Sequence, residues 1–488
     1  MTPRVPPVAR ADALELAQRA ATSAFLTLHS LLGLDFCGGS RQKRCRKGMA
    51  EAVTNVLTLE ADWETLDRGS PEDRACFSAL GIRWGATWLT EADDAFVHRV
   101  RDKVHLSAYR LAEWFAWNWW RLRWEPRRTG DDWALAHRLA TIGGGYVWPN
   151  IVAFSDGERV ALLAKPTRRC PQEPLRYLAD VDAFMPASVF EGAVDPFVEQ
   201  VLGQLRAEGV APGNLDRLWA DVLAERADAQ TASLRRFEAL LGFEPDQAPA
   251  SVLDALLSDA ASLGEPSMHE VAADHAKGCP IPTASSLQDF AKANGFAASP
   301  SSAVRLNSDL PPTGAVAAWL RGAKAAQALR TQETLGLEPL GNATLSQLAG
   351  VSTAALASPP PNAVALSFAV DGTDSSSRVV LRSKWEAGRR FDLARILGDR
   401  LTAPEGRLYP ATGALTYRQK LQRAFAAELL CPFEALDGLL GLDVSEDAQR
   451  GAAEHFQVSE LMVSTILANH GRVDRADIEK DVEVMLAV

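Results

Sequence analysis

Ten of the thirteen tryptophans fall before residue 150 of this 488-residue chain. Rings of that size must be buried together or displayed for binding. The N-terminal region therefore needs an aromatic core of its own or an aromatic binding face. A chain this long also exceeds what one core holds, which predicts two or three domains. With 47% apolar and 23% charged residues, the composition is that of a folded protein rather than a disordered one.

Residues 13–33 have helical apolar spacing, and Gly38-Gly39 then breaks the chain. Two apolar runs around Asp156-Gly157, within residues 151–166, predict a β-hairpin. From about Val189 to Ala261 the period returns to that of helices. Residues 262–312 are rich in Gly, Pro, Ser and Asn and predict a linker or irregular bridge. Helical pattern resumes over 314–332, and Ser358-Pro359-Pro360-Pro361 marks a second break. The expected fold class is mainly α with small β-sheets (α+β), multidomain: 1–261 helical and Trp-rich, 262–312 bridging, 313–488 a C-terminal domain.

Two strand-like runs, Ala363–Val370 and Arg378–Leu381, follow the proline break. A helix is expected from about Trp385 to Leu401, carrying Arg389-Arg390-Phe391-Asp392-Leu393-Ala394-Arg395-Ile396-Leu397-Gly398-Asp399. Another carries Gln422-Arg423-Ala424-Phe425-Ala426-Ala427-Glu428-Leu429-Leu430-Cys431-Pro432. Then comes Ala452-Ala453-Glu454-His455-Phe456-Gln457-Val458-Ser459. In order and spacing, residues 313–475 resemble the ImmA/IrrE family of zincin-type metallopeptidases. The resemblance implies a zincin-like domain with a helix-turn-helix-like tail. It also implies a zinc held by a His-Glu-x-x-His pair and a glutamate from the next helix. Those positions fall here on Arg395, Ile396, Asp399 and Leu421. Arginine offers no lone pair, isoleucine cannot be a base and leucine cannot ligate. The site is thus expected to be degenerate, with no catalytic residue, metal or cofactor. An Arg395–Asp399 salt bridge at i,i+4, joined by Asp392, is expected in its place.

His269 and His275 are six residues apart, about 240° round a helix, so they cannot share a metal while helical; a surface helix is expected. The tail helix after Ser459 begins with Glu460 and has no basic residue up to Ala468, which favours packing over DNA reading. Arg41, Lys43, Arg44, Arg46 and Lys47 place five positive charges in seven residues. They form either a solvated loop or a patch for phosphate, RNA or an acidic partner. Trp117, Trp120 and Trp124 share a helical stripe, which predicts core. Trp119 falls off that stripe and would point to the surface; beside Arg127 and Arg128 it is a candidate for stacking on bases, although core packing with snorkelling arginines is the commoner arrangement for such a stretch.

Net charge −11 disfavours a general nucleic-acid or membrane-surface binder. The six cysteines contain no CxxC pair, and no apolar run approaches the ~20 residues of a membrane span. A reduced, cytoplasmic protein is the simplest reading. The functional expectation is a pseudopeptidase that binds a protein partner as sensor or regulator. The family resemblance points to bacterial phage-defence, toxin–antitoxin or stress-response loci. The alternatives are a metal-dependent peptidase with a rebuilt site, using Asp399 with His455 or His470, and a nucleic-acid-binding regulator. Oligomeric state is left open.

Overall fold

A computed structural model describes residues 56–474 apart from 129, 168–174, 276–279, 300–303, 359–363, 373–375 and 404–405. The expected helix at 13–33 and the basic residues Arg41, Lys43, Arg44, Arg46 and Lys47 lie outside the described residues. Among the described residues no helix is long and apolar enough to cross a membrane. The fold is mixed: helices with small antiparallel sheets.

The first part begins with β1 (Leu57–Trp63), α1 (Pro71–Ala75), β2 (Phe77–Trp84), β3 (Thr87–Trp88), β4 (Ala92–Asp94), β5 (Arg99–Arg101) and β6 (Val104–Ser107). It continues with α2 (Ala108–Trp124), α3 (Asp131–His137), β7 (Ile151–Ser155), β8 (Arg159–Ala164), β9 (Leu175–Tyr177) and β10 (Val181–Pro186). Strand β2 pairs with β1, β3 and β6; β10-β8-β7 and β5-β4-β9 form two further sheets. Strands β7 and β8 turn on Asp156-Gly157, where Gly157 has φ +99°, a conformation that suits glycine.

Helix α2 starts at Ser107, whose side chain accepts from the Arg110 N–H. It is buried on almost every side because α4 (Ala187–Ala207), α5 (Asn214–Ala227), α6 (Ala229–Leu241) and β7 all pack on it. The aromatic core expected of the N-terminal region is built on this helix. Trp119 is its centre: 2% exposed, edge-on to Trp219 at 5.6 Å and stacked on Phe190 at 6.3 Å. The expectation that Trp119 lies at the surface is therefore wrong. Trp117, expected in the core, is 55% exposed instead. A one-sided stripe fails as a guide when a helix is covered all round.

The second part runs through α7 (Ala250–Leu263), α8 (Glu265–Asp274), α9 (Ala284–Asn294) and β11 (Phe296–Ala298). Next come α10 (Ala318–Gln332), α11 (Asn342–Ala349), α12 (Ala354–Ala357), β12 (Ser367–Asp371), β13 (Ser377–Val380), α13 (Glu386–Thr402) and β14 (Leu408–Ala411). The chain continues with α14 (Tyr417–Leu430), α15 (Phe433–Leu440), α16 (Glu446–Phe456) and α17 (Glu460–Asn469). A four-stranded antiparallel sheet, ordered β11-β13-β12-β14, forms the centre.

The sheet is two-faced by the period-two rule of strands. Phe368 and Val370 face a core made with Leu253, Leu256, Met268, Val271 and Leu287 of α7–α9. Ala369 faces the opposite core, with Leu329 of α10, Leu393 and Leu397 of α13, and Phe425 of α14. So residues 262–312 are not an irregular bridge. They supply two helices of one covering layer and the edge strand β11, which pairs with β13. The Gly- and Pro-rich punctuation there separates short elements; it does not mark a linker.

Candidate functional site

Three elements converge where the resemblance places the zinc: α13, α14 and α8. Helix α13 presents Arg395 and Asp399, both buried, with Asp399 fully so. The Asp399 carboxylate is gripped by Arg418 of α14, Nε donating to Oδ1 at 2.6 Å and Nη2 to Oδ2 at 2.7 Å. The third Arg418 nitrogen, Nη1, donates to Ser267 Oγ of α8 at 3.3 Å. Burial opposes the Arg418 charge, but Asp399 more than offsets it and holds the guanidinium above its ordinary value.

Arg395 does not meet Asp399. Its Nη2 donates to Gln419 Oε1 at 2.6 Å and to the Thr412 carbonyl at 2.5 Å. Its Nη1 lies 3.9 Å from Asp392, whose other oxygen accepts from Ser367 Oγ at 2.6 Å. The expected Arg395–Asp399 bridge is thus replaced by two separate partnerships. The reason is geometric: Arg418 offers Asp399 a two-toothed fork that an i,i+4 neighbour cannot match. Burial pulls the Arg395 guanidinium below its ordinary value, although Asp392 counters this.

Leu421 does not face this network; it packs with Ala318 and Tyr417 in a small apolar cluster. On α14 the residue that reaches Arg395 is Gln419, which also accepts from Thr412 N at 2.9 Å and donates to the Pro410 carbonyl at 3.0 Å. Ile396 points into the apolar core beneath the sheet, with Leu393 and Leu397.

Helix α8, expected at the surface, is a largely buried element, with Ser267, Met268, Glu270, Val271, Ala272 and Ala273 covered. Ser267 Oγ donates to the Leu408 carbonyl of β14 at 2.5 Å. Glu270 accepts from Thr416 Oγ1 at 2.5 Å. Burial pushes its carboxyl up to about 7, against the pull of Arg418. His269 sits 3.2 Å from Glu265 and burial pulls its imidazole down. His275 binds the Val271 carbonyl through Nδ1 at 2.8 Å, so the two histidines share no ligand.

The same residues open onto a cleft of about 410 Å³. Its lining includes Glu270, Thr416 and Arg418 together with Trp124 and the Asp156–Glu158 turn between β7 and β8. Tyr417 N donates to the Asp156 carbonyl at 2.7 Å, and Lys420 pairs with the Asp156 carboxylate at 3.2 Å. Arg128 ties the parts together behind the cleft, reaching the Leu240, Ala273 and His275 carbonyls.

The zinc that the resemblance implies does not suit these residues. Arg395 has no lone pair, both Asp399 oxygens are engaged by Arg418, and Leu421 is apolar. Among the described residues no three His, Cys, Asp or Glu side chains are grouped as a metal requires. His455 packs edge-on to Phe456 at 4.8 Å and His470 stacks on Phe433 at 3.5 Å, so neither is offered to Asp399.

Sequence reasoning missed Glu270, Thr416, Arg418, Gln419 and Glu158. One signal was available: Gln419, Gln422 and Arg423 crowd polar atoms onto a helix that also carries Phe425, Leu429 and Leu430, and all six are buried. No known family, no curated protein and no solved structure matches the chain.

Proposed function

We propose that this chain is a non-catalytic binding protein, a pseudopeptidase on an ImmA/IrrE-like scaffold. The observation that carries the reading is the pairing at the would-be metal site. Arg395 is committed through Nη2 to Gln419 and Thr412, and Asp399 through both oxygens to Arg418, so that neither carboxylate oxygen is left open for a metal. A site built for metal leaves lone pairs free for it; this one is closed by hydrogen bonds. Its stable polar floor and the adjoining cleft suit a protein segment as ligand. The family resemblance supports a setting as sensor or regulator in bacterial phage-defence, toxin–antitoxin or stress-response loci.

The test is peptidase activity of the full chain on unfolded casein with one equivalent of zinc added. The reading expects the buffer rate, unchanged by EDTA. Zinc-dependent, EDTA-sensitive cleavage sinks it.

A further inference from the structure

The cleft carries a more specific inference, which rests on the binding reading above. Six of its lining side chains are charged or can become so near neutral pH: Asp156, Glu158, His269, Glu270, Arg321 and Arg418. Asp156 is paired with Lys420, Arg418 with Asp399, and His269 lies against Glu265. Glu158, Glu270 and Arg321 remain. Counted with both carboxylates ionised, two negatives and one positive leave the lining at −1.

Among the described residues no hydrogen bond or ion pair reaches the Glu158 carboxylate. Burial raises its proton affinity even though Arg123, Arg236 and Arg321 act against that. Glu270 stands in the same cleft with Thr416 and Gln419 as its donors. The charged groups acting on Glu270 are Arg418 on α14 and Asp399 on α13; His269 adjoins it on its own helix, with Arg236 of α6 acting on that histidine, and Tyr409 of β14 lies against Asp399 and Arg418. Asp259 of α7 is turned away to the Ala284 N–H. Leu240, Pro266 and Leu421 add apolar wall.

We propose that this cleft binds an ammonium group on an aliphatic stem, the chemistry of a lysine side chain, between the carboxylates of Glu158 and Glu270. A monocation cancels the residual charge, gives the Glu158 carboxylate a donor and adds a charged one to the buried Glu270 carboxylate. The apolar wall takes the methylene stem. An anion would meet two carboxylates, Arg321, and an Arg418 already paired with Asp399. A flat heterocycle stacking on Trp124 would compete with the guanidinium groups already over that ring, Arg123 at 4.2 Å and Arg236 at 4.0 Å.

Isothermal titration of the full chain with three tripeptides, Ac-Ala-Lys-Ala-NH2 and its norleucine and glutamate analogues, tests this. The lysine peptide is expected to bind at least about tenfold tighter than either analogue. Its affinity should rise between pH 6 and 8, by up to about tenfold per unit below the Glu270 midpoint, because binding requires the ionised carboxylate. E270Q and E158Q should each weaken it about tenfold or more. E158Q alters the more exposed residue and serves if E270Q does not fold. Butylammonium binding as tightly as the peptide assigns the site to free amines; tighter peptide binding assigns it to lysine side chains. Equal binding of all three peptides, or no saturation by the lysine peptide up to ~10 mM, overturns the proposal. The non-catalytic reading survives that failure, since it fails only on zinc-dependent cleavage.

Discussion

Arg418 and Asp399 form a two-toothed ion pair, with N–O distances of 2.6 and 2.7 Å and the carboxylate wholly buried. The pair joins α14 to α13 at the position the family resemblance gives to a metal ligand. Removing one partner leaves the other charged and buried without compensation. Asp399→Ala is expected to cost about 3–5 kcal/mol of folding stability. The double variant Asp399→Leu with Arg418→Met should recover most of that loss, because it removes both charges. Urea unfolding of the three proteins measures the difference; a single variant within about 0.5 kcal/mol of the parent would contradict the geometry.

Glu270 makes stability depend on pH in a defined direction. Its folded carboxyl titrates at about 7, above the ordinary carboxylate value of 4.5. The folded state therefore holds this proton more tightly than the unfolded chain. Its contribution is fully present below about 4.5 and is lost as pH rises through about 7. Compared with Glu270→Gln, the parent should lose stability from pH 5 to 8, by an amount on the order of a few kcal/mol. Parallel melting curves check this. A difference between the two proteins that does not change with pH refutes it.

The tryptophans of α2 give opposite expectations two residues apart. Trp119 is 2% exposed among Phe190 and Trp219, whereas Trp117 is 55% exposed. Trp119→Ala should cost about 3–5 kcal/mol, and Trp117→Ala within about 0.5 kcal/mol. Chemical denaturation ranks them, and a reversed ranking would show that the helix faces the other way.

Much of the C-terminal architecture is legible locally. Helix α13 and the strands β12 and β13 follow from apolar period. What escaped local reading depends on distant partners. Helix α8 reads as polar and short, yet Ser267 and Glu270 are buried because β14 and α14, some 140 residues later, supply Leu408 O and Thr416. The Arg395–Asp399 spacing permits a bridge, and only the tertiary approach of Arg418 decides against it. Leu421 and Gln419 differ by about 200° round α14, so an offset of two residues exchanges an apolar contact for the one that meets Arg395.

Arg395, Asp399 and Arg418 are engaged with protein partners at the position where the resemblance places a zinc. The zinc content of the purified, untagged protein, read by elemental mass spectrometry, tests this most directly. The account predicts less than about a tenth of an equivalent per chain, as for a site without three ligands. Close to one tightly held equivalent would contradict it, and would mean that Arg395, Asp399 and Arg418 are not arranged as described or that a separate metal site exists.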